Sequence, residues 1–417
     1  MRWMLLAAVG LVGCSGGCRD QGAGPGPDAQ VRDGALGPEA QVAEADVDVW
    51  QPPSEGPPAV LRHWCDKPLV RFPYEWRLGG FVQPGGGWLY VGWGYRRDMS
   101  NLHMRLLNLD TCVEYALVPE WWQVCDFTTY VGLSHERFVV SGEKCPENGS
   151  ASDLFVVDLA TWEVSAFRPS PDLWEDGLDV NDRYVVYKTR YIPDNPSQIR
   201  EYVFIADLET GEATELLEQG WSVHFSISDR YLVWSNNDNI YYLNLETWEQ
   251  ERIEEPVPRA QVLPKTDGDL AVWMETDDPE AGPFDMVVYH LDTGEREVVA
   301  EDVALPGVLP FVQLSRDLVL YSTGENVTQE DLERGPVWDL VLYDVRTGVR
   351  RRLTSAPMYI GPADGAFHAP WLPFDILDHE GRLECGGMYL ANLERLGVVD
   401  SQGRLLEGGP VFEPPCP

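Results

Sequence analysis

Short apolar runs alternate with polar turn residues along most of this chain. The phrase DRYLVW at 229–234 has close relatives, DRYVVY at 182–187 and DLVLY at 317–321. Short runs rich in Val, Leu, Tyr and Trp, bounded by Asp, Asn and Gly, are typical of β-strands, and no apolar stripe with helical spacing competes with them. The pattern therefore predicts an all-β protein.

A second phrase, Asp-Leu-x-Thr-Gly or a variant of it, follows these runs. Its first residue recurs at intervals of 50, 49, 37, 46 and 54 residues, at Asn108, Asp158, Asp207, Asn244, His290 and Asp344. A weaker copy begins at Asp400. Periods of this length are typical of solenoids, propellers and arrays, and Asp, Asn and Gly favour tight reversals between strands.

The repeat unit at 221–256 divides into four strands: VHFSI, RYLVW, NIYYLNL and EQERI. Four-stranded units cannot bury both faces alone, but they do so when packed face to face around an axis. We therefore predict a β-propeller of four-stranded blades. Six units are clear and the degenerate segment 358–412 is a seventh, so we predict seven blades, with six as the alternative. Residues 67–72, KPLVRF, are expected to supply the outer strand of the last blade.

The repeated phrases also carry a family resemblance. Ser-x-x-Asp-Arg-Tyr and Asp-Leu-x-Thr-Gly-Glu resemble the repeats of TolB-like and WD-type propellers over roughly residues 76–353. The resemblance implies a propeller fold and, for TolB-like proteins, protein partners in the periplasm. It does not specify an activity, because propellers include binding modules and many enzymes.

The N-terminus has the features of a bacterial lipoprotein. An apolar run from Trp3 to Val12 is too short to cross a bilayer as a helix and fits the hydrophobic part of a signal peptide. The segment Leu11-Val12-Gly13-Cys14 resembles the lipobox, so residues 1–13 are predicted as a lipoprotein signal peptide and Cys14 as the lipidated residue. The alternative is an ordinary signal peptide. Ser15, rather than Asp, follows the cysteine and favours the outer membrane under the enteric sorting rule.

A linker is predicted between this anchor and the propeller. Residues 14–58 are rich in Gly, Pro, Ala, Asp and Glu and poor in aromatic residues. Such a segment buries too little apolar surface to offset its ordering entropy, so we predict a lipid-anchored disordered linker. The propeller domain is expected at 59–417.

Net charge and cysteine content limit the partners and the cellular compartment that we expect for this protein. The formal net charge of −37 repels a phosphate backbone, so nucleic acid is excluded as an expected partner. Disulfides suit a protein outside the cytoplasm, and six cysteines allow 15 pairings, which stay open. One such pairing is Cys125–Cys145, Cys385–Cys416 and Cys65–Cys112.

No motif supports a cofactor. The chain has no H-E-x-x-H, Cys-x-x-Cys, phosphate-binding glycine loop or EF-hand loop. We therefore expect neither a metal nor another cofactor, and we assign no catalytic residue.

Aromatic residues divide into two groups. Those at equivalent positions in the second strands are expected to pack between blades: Tyr187, Trp234, Trp273 and Tyr321. Others lie near loops or in the segment 364–380, which breaks the repeat, and with neighbouring polar residues they are candidates for a ligand-binding face: Trp174, Trp221, His368, Trp371, Asp375 and His379.

Together these observations favour a lipid-anchored cell-envelope propeller, periplasmic or surface-facing, that binds an envelope protein as a non-catalytic scaffold. Its contact with the membrane is expected through the lipid anchor only. One alternative is a glycan-acting enzyme, a glycosidase or polysaccharide lyase, with carboxylates, Arg and Trp gathered at one mouth of the channel. Another is a mainly structural envelope protein.

Overall fold

Seven antiparallel sheets make up the fold that the computed structural model describes. Within the residues described, no helix is both long and apolar enough to span a membrane. The described residues are 48–50, 59–61, 67–71, 81–95, 98–117, 124–144, 153–167, 174–191, 200–219, 224–254, 259–278, 283–303, 311–324, 339–355, 359–361, 367–377 and 387–412.

Three short strands precede the repeats, and the first three blades follow them. The early strands are β1 (Asp48–Trp50), β2 (Ala59–Leu61) and β3 (Leu69–Arg71). Blade 1 contains β4 (Phe81–Gly85), β5 (Trp88–Tyr95), β6 (Asp98–Asn108) and β7 (Val113–Leu117). Blade 2 contains β8 (Val124–Leu133), β9 (Arg137–Lys144), β10 (Asp153–Asp158) and β11 (Val164–Phe167). Blade 3 contains β12 (Trp174–Val180), β13 (Tyr184–Tyr191), β14 (Arg200–Asp207) and β15 (Ala213–Gln219).

The remaining blades repeat this plan. Blade 4 contains β16 (Phe225–Ile227), β17 (Tyr231–Asn236), β18 (Asn239–Asn244) and β19 (Gln250–Arg252). Blade 5 contains β20 (Ala260–Asp267), β21 (Leu270–Thr276), β22 (Asp285–His290) and β23 (Glu295–Ala300). Blade 6 contains β24 (Val312–Ser315), β25 (Leu318–Thr323), β26 (Asp339–Asp344) and β27 (Val349–Arg352). Blade 7 contains β28 (Tyr359–Gly361), β29 (Trp371–Leu377), β30 (Gly387–Asn392) and, as its fourth strand, β3.

These sheets confirm the predicted seven-bladed, four-stranded propeller. The four strands of blades 1 to 6 pair in sequence order, whereas in blade 7 the N-terminal strand β3 follows β30. The four strands predicted in residues 221–256 are those of blade 4. The first strands of successive blades contact one another from β4 to β24. The first strands therefore form the inner ring, and the fourth strands lie outermost.

Second-strand side chains fill the space between blades. In blade 4, Leu232 and Trp234 pack against blade 3, whereas Tyr231 and Val233 pack against blade 5. This alternation follows from the period of two in a β-strand. It explains why large aromatic residues recur at one position of the second strand. Their burial between neighbouring blades confirms the predicted packing of Tyr187, Trp234, Trp273 and Tyr321.

The N-terminal part of the chain closes the ring. Strand β3 pairs with β30, with Val70 opposite Leu390, so the predicted closing strand at 67–72 is confirmed. Two further strands extend other blades, β2 on β7 and β1 on β11. Asp48–Trp50 falls inside the segment predicted as a linker, and its backbone nevertheless pairs with blade 2.

The last repeat differs from the sequence prediction. Its third strand ends at Asn392, whose Oδ1 accepts a hydrogen bond of 3.0 Å from the Arg395 amide. Asn392, not Asp400, is therefore the equivalent of the Asp-Leu-x-Thr-Gly residue. Asp400 begins a separate turn, where its Oδ1 accepts the amides of Gln402 and Arg404.

After this turn the chain returns to the edge of blade 6. Phe412 bridges to Thr354 beside β27. The buried Arg351 guanidinium donates to the carbonyl oxygens of Gly397, Leu406 and Gly409 at 2.8 to 3.1 Å. One arginine thus binds three points of the C-terminal segment to blade 6.

We predict that Arg351→Met lowers the free energy of unfolding by about 3 kcal/mol, because several buried carbonyl groups lose a charged donor. Thermal unfolding of the full chain measures the loss. Arg350→Met, at the exposed neighbouring position, is the matched control. An equal effect of both substitutions would contradict the proposed role of Arg351.

Candidate functional site

One face of the propeller carries the turns between first and second strands, here called A–B turns. The turns between third and fourth strands, the C–D turns, lie on the same side because consecutive strands are antiparallel. In blade 3 the Leu208 amide of the C–D turn donates to the Arg183 carbonyl of the A–B turn at 2.8 Å, and Leu245 and Arg230 repeat this bond in blade 4. We call this side the turn face.

The A–B turns of neighbouring blades are hydrogen-bonded to one another. Five such bonds join blades 2 to 7 in succession, each shorter than 3.3 Å: Glu136 N to Asp182 Oδ1, Asn181 Nδ2 to Ser228 O, Ser228 Oγ to Gly268 O, Arg316 N to Asp267 Oδ2, and Ala369 N to Ser315 Oγ. The described A–B turns therefore form a bonded arc around the axis.

Blades 1 and 2 are joined by close backbone packing instead. A Cβ placed on Gly86 would lie 2.1 Å from the His135 amide nitrogen, and one on Gly85 would lie 2.1 Å from the Leu133 carbonyl oxygen. Gly86 also has a φ of 54°, in the left-handed region. Only glycine permits this approach without displacing the turn.

Arginines of the A–B turns point toward the C–D turns. Arg183 pairs with Asp207 of its own blade at 2.9 Å, and Arg137 pairs in the same way with Asp158. In blade 4 the equivalent of Asp207 is the uncharged Asn244, and Arg230 instead pairs with Asp292 of blade 5 at 2.9 Å.

These arginines therefore do not pair with the acidic residues that precede them in the sequence. None of Glu136, Asp182 and Asp229 forms an ion pair with a cation in the part of the chain that the structure describes.

A cleft of about 460 Å³ opens on this face between blades 3 and 4. Its carboxylates are Asp182, Asp229 and Glu246, and its aromatic side chains are Tyr184 and Trp248. Arg183 also lines the cleft, but its guanidinium pairs with Asp207. The arrangement gives a negatively charged depression with an indole at its edge.

Trp248 occupies an unusual backbone position. Its φ is 59°, and the equivalent residues of three other blades are glycines with φ between 69° and 75°: Gly211, Gly294 and Gly348. Blades 1 and 2 have Cys112 and Trp162 at this position, with φ of 58° and 62°. A bulky residue pays an energetic cost there. The Trp248 side chain meets the Tyr184 ring edge-on at 5.9 Å yet remains 38% exposed.

A second group of charged residues lies on the inner strands and on the second strand of blade 3. The Asp179 carboxylate of β12 accepts the Ile227 amide of β16 at 2.9 Å and the Val180 amide at 3.0 Å. Burial raises the pKa of Asp179, and the positive charge of Lys265 on β20 only partly opposes that increase. Burial likewise lowers the pKa of Lys265, with Asp179 opposing.

His224 and Lys188 continue this group. His224 precedes β16, and the Lys188 ammonium lies 5.7 Å from the centre of the adjacent Phe225 ring. The His224 side chain is reached by solvent, but surrounding protein removes part of its hydration; this desolvation, with Lys188 and Lys265, lowers its pKa to about 4. The chain has only four lysines, and two of them are here. A neutral imidazole beside two ammonium groups suits an anionic ligand.

The structure describes the side chains of two of the six residues predicted for a ligand-binding face. His368 and Trp371 come together in the A–B turn of blade 7, where they exchange backbone hydrogen bonds of 3.2 and 2.7 Å. His368 is half-buried, and burial lowers its pKa while Asp267 opposes the shift. Trp371 is only 6% exposed. Trp174 and Asp375 lie on β12 and β29 with undescribed side chains, and Trp221 and His379 lie outside the described residues.

Most of the cysteines predicted to be lipidated or to form disulfides also lie outside the described residues. Cys112 carries a free thiol at the left-handed position of its C–D turn, and Cys125 lies on β8 with an undescribed side chain. The lipidation site and the other candidate disulfide cysteines lie outside the described residues: Cys14, Cys65, Cys145, Cys385 and Cys416. The free thiol of Cys112 does not form the suggested bridge to Cys65. The lipidation and the pairings among the other cysteines remain predictions.

Sequence reasoning did not single out the cleft or the inner-strand charges. The scarcity of lysine was the available signal for Lys188 and Lys265. For the cleft, the signal was Trp248, which stands where three other repeats have a glycine.

Comparisons with known proteins agree with the fold. No family model matches the chain, and no curated protein matches it. An acylaminoacyl peptidase of Pyrococcus horikoshii is 13% identical over 73% of this chain, with a TM-score of 0.50, and the match spans 50% of the peptidase. An oligogalacturonate lyase in complex with manganese is 16% identical over 84% of this chain and 96% of its own, with a TM-score of 0.49.

TolB from Acinetobacter baumannii is also a structural neighbour, although a distant one. It is 14% identical over 75% of this chain and 78% of its own, with a TM-score of 0.35. At 13% identity and a TM-score of 0.50, the match to the peptidase shows similarity of fold alone.

We predict that His224 titrates near pH 4 in the folded protein, below its ordinary value of 6.5. The folded state disfavours the proton, so the contribution of His224 to stability is present above pH 6.5 and is lost as the pH falls toward 4. Imidazole NMR resonances, assigned with His224→Gln, measure the midpoint. Lys188→Met and Lys265→Met should each raise it, whereas Lys67→Met, at an exposed position, should not. A wild-type midpoint near 6.5 would contradict the described environment.

Proposed function

We propose that this protein is a lipid-anchored β-propeller of the bacterial cell envelope that binds a protein partner on its turn face without catalysing a reaction. The cleft between blades 3 and 4 carries this proposal. Carboxylates around a partly exposed indole suit a lysine or arginine side chain, which is attracted by charge and by the face of the ring. The partner is therefore expected to present a basic segment.

The backbone at Trp248 supports a binding role. Glycine would adopt its φ of 59° without strain, as it does in three other blades. Tryptophan is strained there. Trp162, at the same position of blade 2, is half-buried against Trp88 and Tyr115, whereas Trp248 leaves 38% of its surface exposed and available to a partner. Tryptophan is among the residues most enriched at the energetic centres of protein interfaces.

The sequence supports the cellular setting. The lipobox-like segment ending at Cys14 and the Gly- and Pro-rich residues 14–58 suit a lipid-anchored domain on a linker, and Ser15 favours the outer membrane. The TolB-like repeat phrases imply an envelope protein as the partner.

A second candidate function is suggested by the inner strands. A polysaccharide lyase acting on acidic glycans needs a base to remove a proton and cations to neutralise the sugar carboxylate. His224, neutral at pH 7, could be that base, with Lys188 and Lys265 as the cations. This group favours an anionic ligand, whereas the cleft favours a cationic one.

Site-specific photocrosslinking in intact cells tests the scaffold proposal. A photoreactive amino acid replaces Thr247, an exposed residue beside the cleft, in the full chain. We expect one discrete envelope-protein adduct. Trp248→Gly should abolish it without destabilising the fold, and Asp229→Asn combined with Glu246→Gln should weaken it at least tenfold.

The matched control places the photoreactive group at Val298, an exposed residue on the outer strand of blade 5. The proposal fails if position 247 gives no adduct, if position 298 gives the same one, or if the adduct survives all the cleft substitutions.

A further inference from the structure

Three side chains from two blades meet on the turn face beside the cleft, and one of them, Asp182, also lines it. His135 and Glu136 belong to the A–B turn of blade 2, and Asp182 belongs to that of blade 3. Each offers one potential metal ligand, and these ligand atoms all lie within 4.8 Å of one another. His135 and Glu136 are exposed and Asp182 is half-buried, so an ion could reach the group from solvent.

The supporting backbone holds these residues in place. The Glu136 amide donates to Asp182 Oδ1 at 2.8 Å, which orients the carboxylate across the boundary between blades and leaves Oδ2 free to act as a ligand. The His135 backbone packs against Gly86 of blade 1 so closely that a Cβ on Gly86 would lie 2.1 Å from the His135 nitrogen. Three blades therefore fix the position of the group.

The local charges also favour a cation. Arg137 and Arg183 are the sequence neighbours of the two acids, but their guanidinium groups pair with Asp158 and Asp207 instead. Neither Glu136 nor Asp182 forms an ion pair with any cation among the described residues. Among the described residues, two carboxylates thus lie beside an imidazole without a cationic side chain paired to them.

We propose that His135, Glu136 and Asp182 bind one divalent transition-metal ion, of which Zn²⁺ and Mn²⁺ are representatives. Metal–ligand bonds of about 2.0–2.2 Å place ligand atoms about 3 to 4 Å apart, so small rotations of exposed side chains close the site. The imidazole favours a transition metal over Ca²⁺ or Mg²⁺. Three protein ligands leave at least one coordination position open to water or to another molecule. The bound ion would link blades 2 and 3.

Isothermal titration of the full chain, free of any histidine tag and treated with a chelator, tests the proposal with ZnCl₂, MnCl₂ and CaCl₂. We expect saturable binding of one transition-metal ion that His135→Gln and Asp182→Asn each weaken at least tenfold. The side-chain amide oxygen that Asp182→Asn introduces could still accept the Glu136 amide, so that substitution removes charge while retaining the turn. Glu209→Gln, at an exposed C–D turn of blade 3, is the control and should change affinity less than twofold.

A spectroscopic measurement identifies the ligand directly. Pulsed electron paramagnetic resonance of bound Mn²⁺ should show coupling to an imidazole nitrogen that is lost in His135→Gln. Equal thermal midpoints of wild type and variants in chelator would establish that each variant folds. The proposal is overturned if neither transition metal binds saturably, if folded variants bind as tightly as wild type, or if only Ca²⁺ binds.

Discussion

The hydrogen bonds between A–B turns of neighbouring blades are the contact on which the rest of this structure depends. Packing of apolar faces holds blades together but does not by itself fix how far one blade slides on the next. The bonds from Asn181 to Ser228 and from Ser228 to Gly268 are directional, and they set that register for blades 3 to 5. Backbone packing of Gly86 on His135 performs the same role between blades 1 and 2.

This arrangement also decides where charge lies on the turn face. Turn arginines are drawn outward to acidic residues near the C–D turns, as Arg183 is to Asp207 and Arg230 to Asp292. The acids that precede them remain near the axis, and Asp182 contributes both to the cleft and to the group with His135. A rigid, negatively charged face follows from a repeated Asp-Arg pair in the sequence. The positive charge of Lys265 lies instead on the first strand of blade 5, and that of Lys188 lies on the second strand of blade 3.

The repeat made much of the fold predictable, because each blade is built from strands that are neighbours in the sequence, and similar phrases recur in successive blades. The sequence alone predicted the strands of blade 4, the aromatic residues between blades and the closing strand near Val70. The last blade was harder to predict from the sequence. Asn392 is not followed by the Thr of the repeat phrase, whereas the turn that begins at Asp400 resembles that phrase. The site residues were hidden for a different reason: Asp182 meets Glu136 across 46 residues, and only the stacking of blades brings them together.

The most direct test of this account is native-state hydrogen exchange at the A–B turn amides that bond across blades, those of Glu136, Arg316 and Ala369. The A–B turns lie at the surface, so their amides would exchange rapidly if each blade were an independent unit. The account predicts that they exchange as slowly as strand amides such as that of Leu232. Exchange as fast as that of Asp238, in the exposed turn between β17 and β18, would contradict it.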